Sequence, residues 1–236
     1  MTHAELRARV LEANRAIVRA GLVVLTFGNA SGVDRAAGVM AIKPSGVAYD
    51  DLDAESMVVV DLESATVVDG TRRPSSDTPT HLVLYRHFEA IGGVVHTHSS
   101  FATAWAQARR ELPCLGTTHA DHFRGAVPVT RPLTDAELGD AYEERTGDVI
   151  VETIERLDAD PLDMPAVLVE SHGPFVWGED VAHAVENAIA LESVAELALH
   201  TLLLAPGAPP LADGLLLRHF LRKHGAAAYY GQGCGG

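Results

Sequence analysis

The sequence predicts a single α/β domain with a mixed or antiparallel central β-sheet flanked by α-helices. A chain of 236 residues is long enough to bury one core without disulfides or metal staples. Helix-like and strand-like segments are interleaved, but without the strict strand–helix–strand alternation that favours a parallel sheet. No internal repeat, low-complexity segment or linker divides the chain. We therefore expect one domain over residues 1–236.

Composition and charge exclude several classes of protein. Apolar residues make up 47% of the chain and charged residues 21%, which is typical of a globular protein and excludes a disordered or collagen-like one. Eighteen basic and 32 acidic residues give a formal charge of −14, and no Lys/Arg-rich run occurs. We therefore expect no nucleic-acid or membrane-surface partner, and any anionic ligand must be held by local groups.

Three further absences favour a cytoplasmic protein. Two cysteines, Cys114 and Cys234, do not form a disulfide framework. The first residues, MTHAELRARV, lack the pattern of a signal peptide. Apolar runs fall short of the roughly 20 residues of a membrane span, and the richest stretch, 195–205, contains Glu196 and His200.

The N-terminal part of the chain contains two helical patterns separated by short strand-like runs. From Glu5 to Ala20, apolar residues recur at spacings of three and four, and Gly21 is suited to end this helix. The predicted strands are Leu22–Thr26, Val39–Ile42, Met57–Val60 and Thr66–Val68. Turn-forming residues separate these strands at Gly28-Asn29, Pro44-Ser45-Gly46 and Asp69-Gly70. A second helical pattern follows over Thr78–Ala90.

The C-terminal part of the chain ends in two helices. Thr134 and Glu137 have the spacing of a capping box, which predicts a helix from Thr134 to about Leu157. The segments Ala166–Glu170 and Val176-Trp177 are predicted to pair as strands. The remaining predicted elements are strands Val94–Thr97 and Val129–Thr130 and helices Ser99–Arg109, Glu179–Leu204 and Gly214–Gly225.

A His-x-His pair is the sharpest chemical signal. His96 and His98 lie on or beside a predicted buried strand, where residues two apart point to the same face. Two neutral imidazoles on one face suit Zn²⁺ or another first-row metal ion. His172 follows another apolar strand, and Asp77 lies at a helix start. Asp77 either caps that helix or joins the histidines, and a single histidine after a strand is more often a hydrogen-bonded core or loop residue.

Three turns are candidates for binding a phosphate group. Two of them end predicted strands, and the third precedes a helix N-terminus, where backbone N–H groups and the helix dipole attract anions. Lys43 adds a full positive charge. The candidate residues are Gly28, Asn29, Lys43, Ser45, Gly46, Ser75 and Ser76. Ordinary turn and cap usage is the alternative for any one of these segments.

The acid/base candidates lie in two polar stretches. Asp121, in a predicted loop, is either a general base or a helix cap. His219 and Arg222 lie on the last helix, where cations commonly complement the helix dipole. Tyr230 follows in the tail and is either a packing group or a general acid.

These segments together resemble the class II aldolase/epimerase family of sugar-phosphate enzymes. The resemblance runs from about residue 5 to residue 232, and leaves the GCGG tail unmatched. Its motifs include TxGN, IKPSGV, PSSDTPTH, IGGVVHTHS, GTTHAD, TDAE, SHGPFxWG, LRKHG and AYYGQ. Phe27 stands where the family usually has tryptophan. The Ser-Ser-Asp sequence ending at Asp77 suits the epimerase branch, since aldolase relatives tend to carry glutamate there.

The resemblance implies a role for each candidate residue. His96, His98, His172 and Asp77 would be zinc ligands. The seven turn residues would surround the phosphate, and Asp121 and Tyr230 would transfer protons. The active site would lie between neighbours in a four-fold homotetramer, with Tyr230 reaching across the interface and His219 and Arg222 as further candidates.

The implied reaction is epimerisation of L-ribulose 5-phosphate to D-xylulose 5-phosphate at C4, by cleavage and re-formation of the C3–C4 bond. No organic cofactor is required. An aldolase that releases the aldehyde, a ketose-phosphate dehydratase and a non-catalytic zinc or sugar-phosphate binding protein are the alternatives. The sequence leaves open Mn²⁺ or Co²⁺ in place of zinc, and service in L-arabinose or L-ascorbate breakdown.

Overall fold

A seven-stranded antiparallel sheet forms the centre of the protein in the computed structural model, which describes residues 1–225 and 227–229. The sheet order is β4-β3-β2-β1-β5-β7-β6. The strands are β1 Gly28–Asp34, β2 Val39–Ile42, β3 Val58–Asp61, β4 Val67–Asp69, β5 Gly93–Thr97, β6 Ala166–Val169 and β7 Gly173–Gly178. This confirms the antiparallel alternative of the predicted fold class.

Seven α-helices and two 3₁₀ turns complete the described part of the chain. The helices are α1 His3–Arg19, α2 Thr78–His87, α3 Ser100–Gln107, α4 Thr117–Ala120, α5 Tyr142–Arg156, α6 Val181–Leu204 and α7 Asp213–His224. The 3₁₀ turns are Tyr49–Asp51 and Ala54–Ser56. Thr2 and Glu5 form a capping box at the start of α1, and Gly21 follows its end with a φ of +72°.

Side-chain alternation along β1 assigns the helices to the two faces of the sheet. Gly32 faces α1 and α6, because a Cβ placed there would meet Val10 and Val181. Ser31 faces the opposite side, where its hydroxyl contacts His81 and Tyr85 of α2. α5 packs on α2. The main core thus lies on both faces of the central strands.

Three predicted elements differ in the structure. Residues 22–26 form no strand; the strand begins at Gly28, although its sequence GNASGVD contains two glycines and an asparagine. Residues Val129–Thr130 supply only an isolated bridge from Val129 to Leu168. The Glu137 carboxylate accepts hydrogen bonds from the Thr134 N–H and hydroxyl, but within a turn, and α5 begins eight residues after Thr134, at Tyr142.

Helix α6 also differs from the expectation about membrane spans. Its 24 residues are long and apolar enough to cross a membrane by length and composition. The core helices of soluble proteins pass the same test, and α6 packs against β5, β7 and α3. Only 33% of its apolar 18-residue stretch is buried, and its exposed large apolar residues are Ile189, Leu197, Leu199, Leu203 and Leu204.

The antiparallel topology brings distant parts of the sequence to one end of the sheet. The start of β1 lies beside the end of β5, since Gly28 pairs with Thr97. The start of β7 adjoins the end of β5 and the end of β2 adjoins the start of β1. The segments that follow or precede these strand ends carry most of the predicted site residues.

Candidate functional site

Three histidines converge at this end of the sheet. His96 lies on β5, His98 follows the strand, and His172 precedes β7; we call them the histidine triad. One ring nitrogen of each lies within 4.8 Å of the others. Ser171, just before His172, has a φ of +59°, an unfavourable conformation for serine. Its N–H donates to Ala106 of α3, which fixes the loop that carries His172.

His96 has the hydrogen-bonding state that a metal ligand requires. His96 Nδ1 lies 2.9 Å from the Pro174 carbonyl oxygen, so this nitrogen is the donor and Nε2 keeps its lone pair. His98 Nε2 lies 3.1 Å from His96 Nε2. Two nitrogens bound to one tetrahedral zinc ion lie about 3.3 Å apart, which agrees with this separation.

Burial keeps two members of the triad, His98 and His172, uncharged. Desolvation lowers the pKa of His172 to about 3, helped by His96 and His98, and it lowers the pKa of His98 in the same way. Neutral imidazoles present lone pairs at neutral pH, as metal ligands must. The donor set therefore fits a divalent first-row metal ion.

Asp77 shares the space in front of the triad. It precedes α2, but its side chain makes no capping hydrogen bond, so the capping alternative is wrong. Asp77 Oδ2 instead accepts a 2.6 Å hydrogen bond from Asn29 Nδ2. Burial raises the pKa of this carboxyl, but His96, His81 and the Asn29 amide lower it by more. Asp77 is thus a carboxylate beside the triad.

A cavity of about 430 Å³ joins the triad to the predicted phosphate-binding turns. This size is within the range of small-molecule sites. We call it the site cavity. Its lining residues are Thr26, Phe27, Gly28, Asn29, Lys43, Pro44, Ser45, Gly46, Ser75, Ser76, Asp77, His96, His98, Tyr142, Glu143 and His172. All seven phosphate candidates therefore lie on the same cavity as the four metal candidates.

Backbone pairing holds two of these turns together. Ser45 N–H donates to the Arg73 carbonyl and Ser75 N–H donates to the Lys43 carbonyl. Asn29 Nδ2 also reaches Ser75 Oγ at 3.2 Å, which connects the start of β1 to the same pair of turns. The Lys43 side chain is buried, and its ammonium donates to the Pro44 carbonyl oxygen at 3.3 Å. A positive charge and several polar donors thus face one small volume.

Asp121, His219 and Arg222 form a separate group, which we call the Asp121 cluster. Arg222 Nε and Nη2 contact the two carboxylate oxygens at 2.9 and 2.7 Å, and His219 Nδ1 lies 3.1 Å from Oδ1. Although burial raises the pKa of Asp121, these two partners lower it by more. None of the three residues lines the site cavity of its own chain. Tyr230 lies outside the described residues.

Five residues that line the site cavity were not predicted as site residues: Thr26, Phe27, Pro44, Tyr142 and Glu143. Tyr142 Oη lies 3.4 Å from His172 Nδ1, and Glu143 lies beside it in the first turn of α5. The predicted helix ran through both positions, so neither was marked as part of a site. The signal that would have identified them is the true start of α5, which follows the Thr134–Glu137 turn and places both residues in the first turn of the helix.

A comparison with known protein families shows which family this chain belongs to. Residues 8–199 match the family described as "Class II Aldolase and Adducin N-terminal domain". The chain belongs to this class II aldolase family. Metal dependence is a property of the family, and the histidine triad supplies a possible site for the ion.

Close relatives within the family are named as epimerases. Two proteins named "L-ribulose-5-phosphate 4-epimerase UlaF", from Salmonella paratyphi A and Salmonella typhi, are each 50% identical to this chain over 228 residues. Each match spans 97% of this chain and 99% of the relative.

Solved structures of the family share the fold. An L-fuculose 1-phosphate aldolase matches with a TM-score of 0.76 and 24% identity, over 91% of this chain and 94% of its own. YgbL of Escherichia coli, described as a putative aldolase/epimerase/decarboxylase, matches with a TM-score of 0.72 and 24% identity. It covers 92% of this chain and 98% of its own. These likenesses confirm the class II aldolase fold.

Proposed function

We propose that the protein interconverts L-ribulose 5-phosphate and D-xylulose 5-phosphate by inverting C4. The observation that carries this proposal is a single cavity in which a histidine triad faces Lys43 and two polar turns. A metal site beside an anion site suits a phosphorylated ketose, whose carbonyl and phosphate lie at opposite ends. Two relatives that are 50% identical over nearly the whole chain carry the name of this activity.

The metal end of the cavity is proposed to bind zinc. The triad would hold the ion, with Asp77 as a further ligand. When bound, the ion supplies Lewis-acid stabilisation of negative charge on the ketose oxygens. The Pro174 carbonyl, outside the cavity, orients His96, and Tyr142, in the cavity wall, contacts His172, so hydrogen bonds hold both ligand rings. A carboxylate and three imidazoles also accept Mn²⁺ or Co²⁺.

The other end of the cavity is proposed to bind the phosphate. Lys43 would supply the charge, and the hydroxyls and backbone N–H groups of the seven turn residues would supply donors. This anchoring has a further purpose, because the proposed reaction releases glycolaldehyde phosphate inside the site. The phosphate contacts keep the aldehyde in place while it rotates to present its other face.

Two proton-transfer groups are proposed, Asp121 and Tyr230. One removes the proton from the C4 hydroxyl, and the C3–C4 bond then breaks, leaving its electron pair on C3 as an enediolate. After the aldehyde rotates, the bond re-forms and the other group returns a proton to the new alkoxide. Two groups are required because the C4 oxygen lies on opposite sides of the site before and after rotation.

A product assay tests this function directly. The metal-loaded protein is incubated with L-ribulose 5-phosphate, and D-xylulose 5-phosphate is measured with a coupling enzyme. We expect steady formation of the epimer without net release of aldehyde. Accumulation of glycolaldehyde phosphate would instead identify an aldolase, a dehydrated product would identify a dehydratase, and binding without turnover would identify a sugar-phosphate binding protein.

We also propose a homotetramer with a shared active site. Asp121 does not line the site cavity of its own chain, so a neighbouring protomer must bring it there if it is catalytic. Exposed apolar side chains on α6 and on α7, the helix that carries His219 and Arg222, support such a neighbour. They include Leu197, Leu199, Leu203, Leu204, Leu215, Leu217 and Leu221.

Mixing two inactive variants is expected to restore about a quarter of the activity. A His98→Asn protomer retains Asp121, and an Asp121→Asn protomer retains the triad. After co-refolding in equal amounts, a shared site is intact with a probability of about ½ × ½ in a closed ring. Activity of the mixed tetramers measures this fraction. No recovery from well-mixed, folded tetramers would place Asp121 in the site of its own chain or outside catalysis.

Alkaline pH is expected to weaken substrate binding through Lys43. Burial lowers the pKa of this ammonium, so it loses its proton at a lower pH than an exposed lysine. KM for the sugar phosphate should therefore rise as pH increases through the lowered pKa. A Lys43→Arg variant keeps its charge and should show a flatter KM profile over the same pH range. Parallel profiles for both proteins would contradict this role of Lys43.

A cytoplasmic location and a domain spanning residues 1–236 are part of the proposal. Two bacterial relatives that match 97% of the chain support a metabolic enzyme of this extent. Whether the reaction serves L-arabinose or L-ascorbate breakdown depends on the genes expressed with it.

A further inference from the structure

Tyr49 contacts two of the turns that form the proposed phosphate site. It begins the 3₁₀ turn Tyr49–Asp51 and is half-buried behind the site cavity, which it does not line. Its hydroxyl donates a 2.7 Å hydrogen bond to the Gly28 carbonyl oxygen. The face of its ring lies 4.8 Å from Lys43 Nζ. One side chain therefore connects the first residue of β1 with the turn after β2.

The contact with the ring solves an electrostatic problem at Lys43. The residue is 3% exposed, and its Nζ has no carboxylate partner among the described residues. An aromatic face stabilises a buried ammonium without carrying a formal negative charge. A carboxylate in the same place would neutralise Lys43 and repel a phosphate. The ring thus keeps the charge of Lys43 available to an incoming anion.

The hydrogen bond from the Tyr49 hydroxyl holds the backbone at Gly28, which has no side chain of its own to hold it. Gly28 has a φ of +116°, and a Cβ added there would lie 3.0 Å from the His96 carbonyl oxygen. This position therefore requires glycine. The next residue, Asn29, donates to both Asp77 and Ser75. Movement of Gly28 would change the aim of Asn29 into the site cavity.

We propose that Tyr49 is a positioning residue for the phosphate end of the substrate. Its ring holds the Lys43 ammonium and its hydroxyl holds the Gly28 turn, so that both face the same anion. This inference rests on the proposed function in assigning the anion to a phosphorylated sugar. Tyr49 itself touches neither the reacting carbons nor the metal ligands.

Two substitutions separate the two contacts. Tyr49→Phe removes the hydrogen bond and keeps the ring, whereas Tyr49→Leu removes both. Lys43→Met shows the effect of losing the charge altogether. Tyr85→Phe is the matched control, because it removes a buried tyrosine hydroxyl that bonds to Ser31 and does not line the site cavity. Circular dichroism and metal analysis confirm that each variant folds and is loaded.

Binding of inorganic phosphate to the metal-loaded proteins is measured by calorimetry, alongside KM and kcat for L-ribulose 5-phosphate. We expect the dissociation constant for phosphate to rise about 5-fold in Tyr49→Phe, as for loss of one hydrogen bond. In Tyr49→Leu, we expect a rise of about 10- to 100-fold, since the cation–π contact is also lost. KM should follow these changes, while kcat and metal content stay near wild type. Tyr85→Phe should match the wild type.

Several results would overturn the inference. Unchanged phosphate affinity in both folded Tyr49 variants would show that neither contact positions the anion site. Parallel losses of metal content and phosphate affinity in the Tyr49 variants would show that Tyr49 is a general structural residue. A wild-type protein that binds no phosphate would show that Tyr49 has no anion site to position. If phosphate binding depends on Tyr49 but no epimerisation occurs, the positioning role stands and the proposed reaction fails.

Discussion

Replacing His98 with asparagine is expected to abolish metal binding and activity together. His98 Nε2 lies 3.1 Å from His96 Nε2, so the change removes one of the three converging imidazoles of the triad. A Lewis acid supplies several kcal/mol of transition-state stabilisation, and its loss corresponds to about 10³-fold or more in rate. Metal analysis and the epimerase assay on the same preparation provide the two measurements.

His87→Asn is the matched control for this experiment. His87 is an exposed histidine on α2 whose Nδ1 bonds to the Val83 carbonyl oxygen, outside the site cavity. It should retain both metal and turnover. Chelation should remove metal and turnover from the wild-type protein, as His98→Asn does. Added Zn²⁺ should then restore turnover to the chelated wild-type protein but not to His98→Asn. Full turnover by a demonstrably metal-free protein would show that the triad has no catalytic role.

The Asp121→Asn variant is expected to lose turnover while keeping its metal ion. A positioned proton-transfer group typically contributes about 10²–10⁴-fold to the rate. The metal content should stay near wild type, because no hydrogen bond or ion pair in the described structure links Asp121 to the triad. Steady-state kinetics and metal analysis test both halves of this expectation.

Asp121→Asn removes both a proton-transfer group and an ion pair with Arg222, and the effects of these two losses must be distinguished. Asp163→Asn is the matched control, since Asp163 is paired with Arg124 at 2.7 Å on the surface, away from the site cavity. Thermal unfolding of both variants shows whether breaking such a pair disturbs the fold. Loss of zinc from Asp121→Asn would make Asp121 a metal ligand. It would then be wrong to assign metal binding to Asp77 and only proton transfer to Asp121.

Burial patterns explain which strands the sequence could predict. β2, β3 and β5 contain runs of valine, isoleucine and methionine that are buried in the sheet, and these were found nearly at their true bounds. β1 was missed because its residues are poor strand formers. Its place is fixed instead by pairing with β2 and β5, and by the close packing of α1 and α6 on Gly32, where an added Cβ would lie 3.2 Å from Val10.

The same distinction holds within the site. The His-x-His spacing gives two ligands on one strand, so this pair could be predicted locally. His172, Asp77 and Lys43 could be brought to the same cavity only through the resemblance, because their convergence depends on the order of strands in the sheet. Tyr142 contacts His172, which is 30 residues away in the sequence, and Tyr49 donates a hydrogen bond to Gly28, which is 21 residues away. No local sequence pattern marks either tyrosine.

The Asp121 cluster has a consequence for how the proposed tetramer forms. The carboxylate, its arginine and its histidine are already joined within a single chain by α4 and α7. Each protomer therefore carries a preformed Asp121 cluster as well as its own site cavity. Rigid partners lose less conformational freedom on meeting than segments that must fold against each other. Assembly should consequently be a docking of preformed parts, fast to re-establish after dilution and re-concentration.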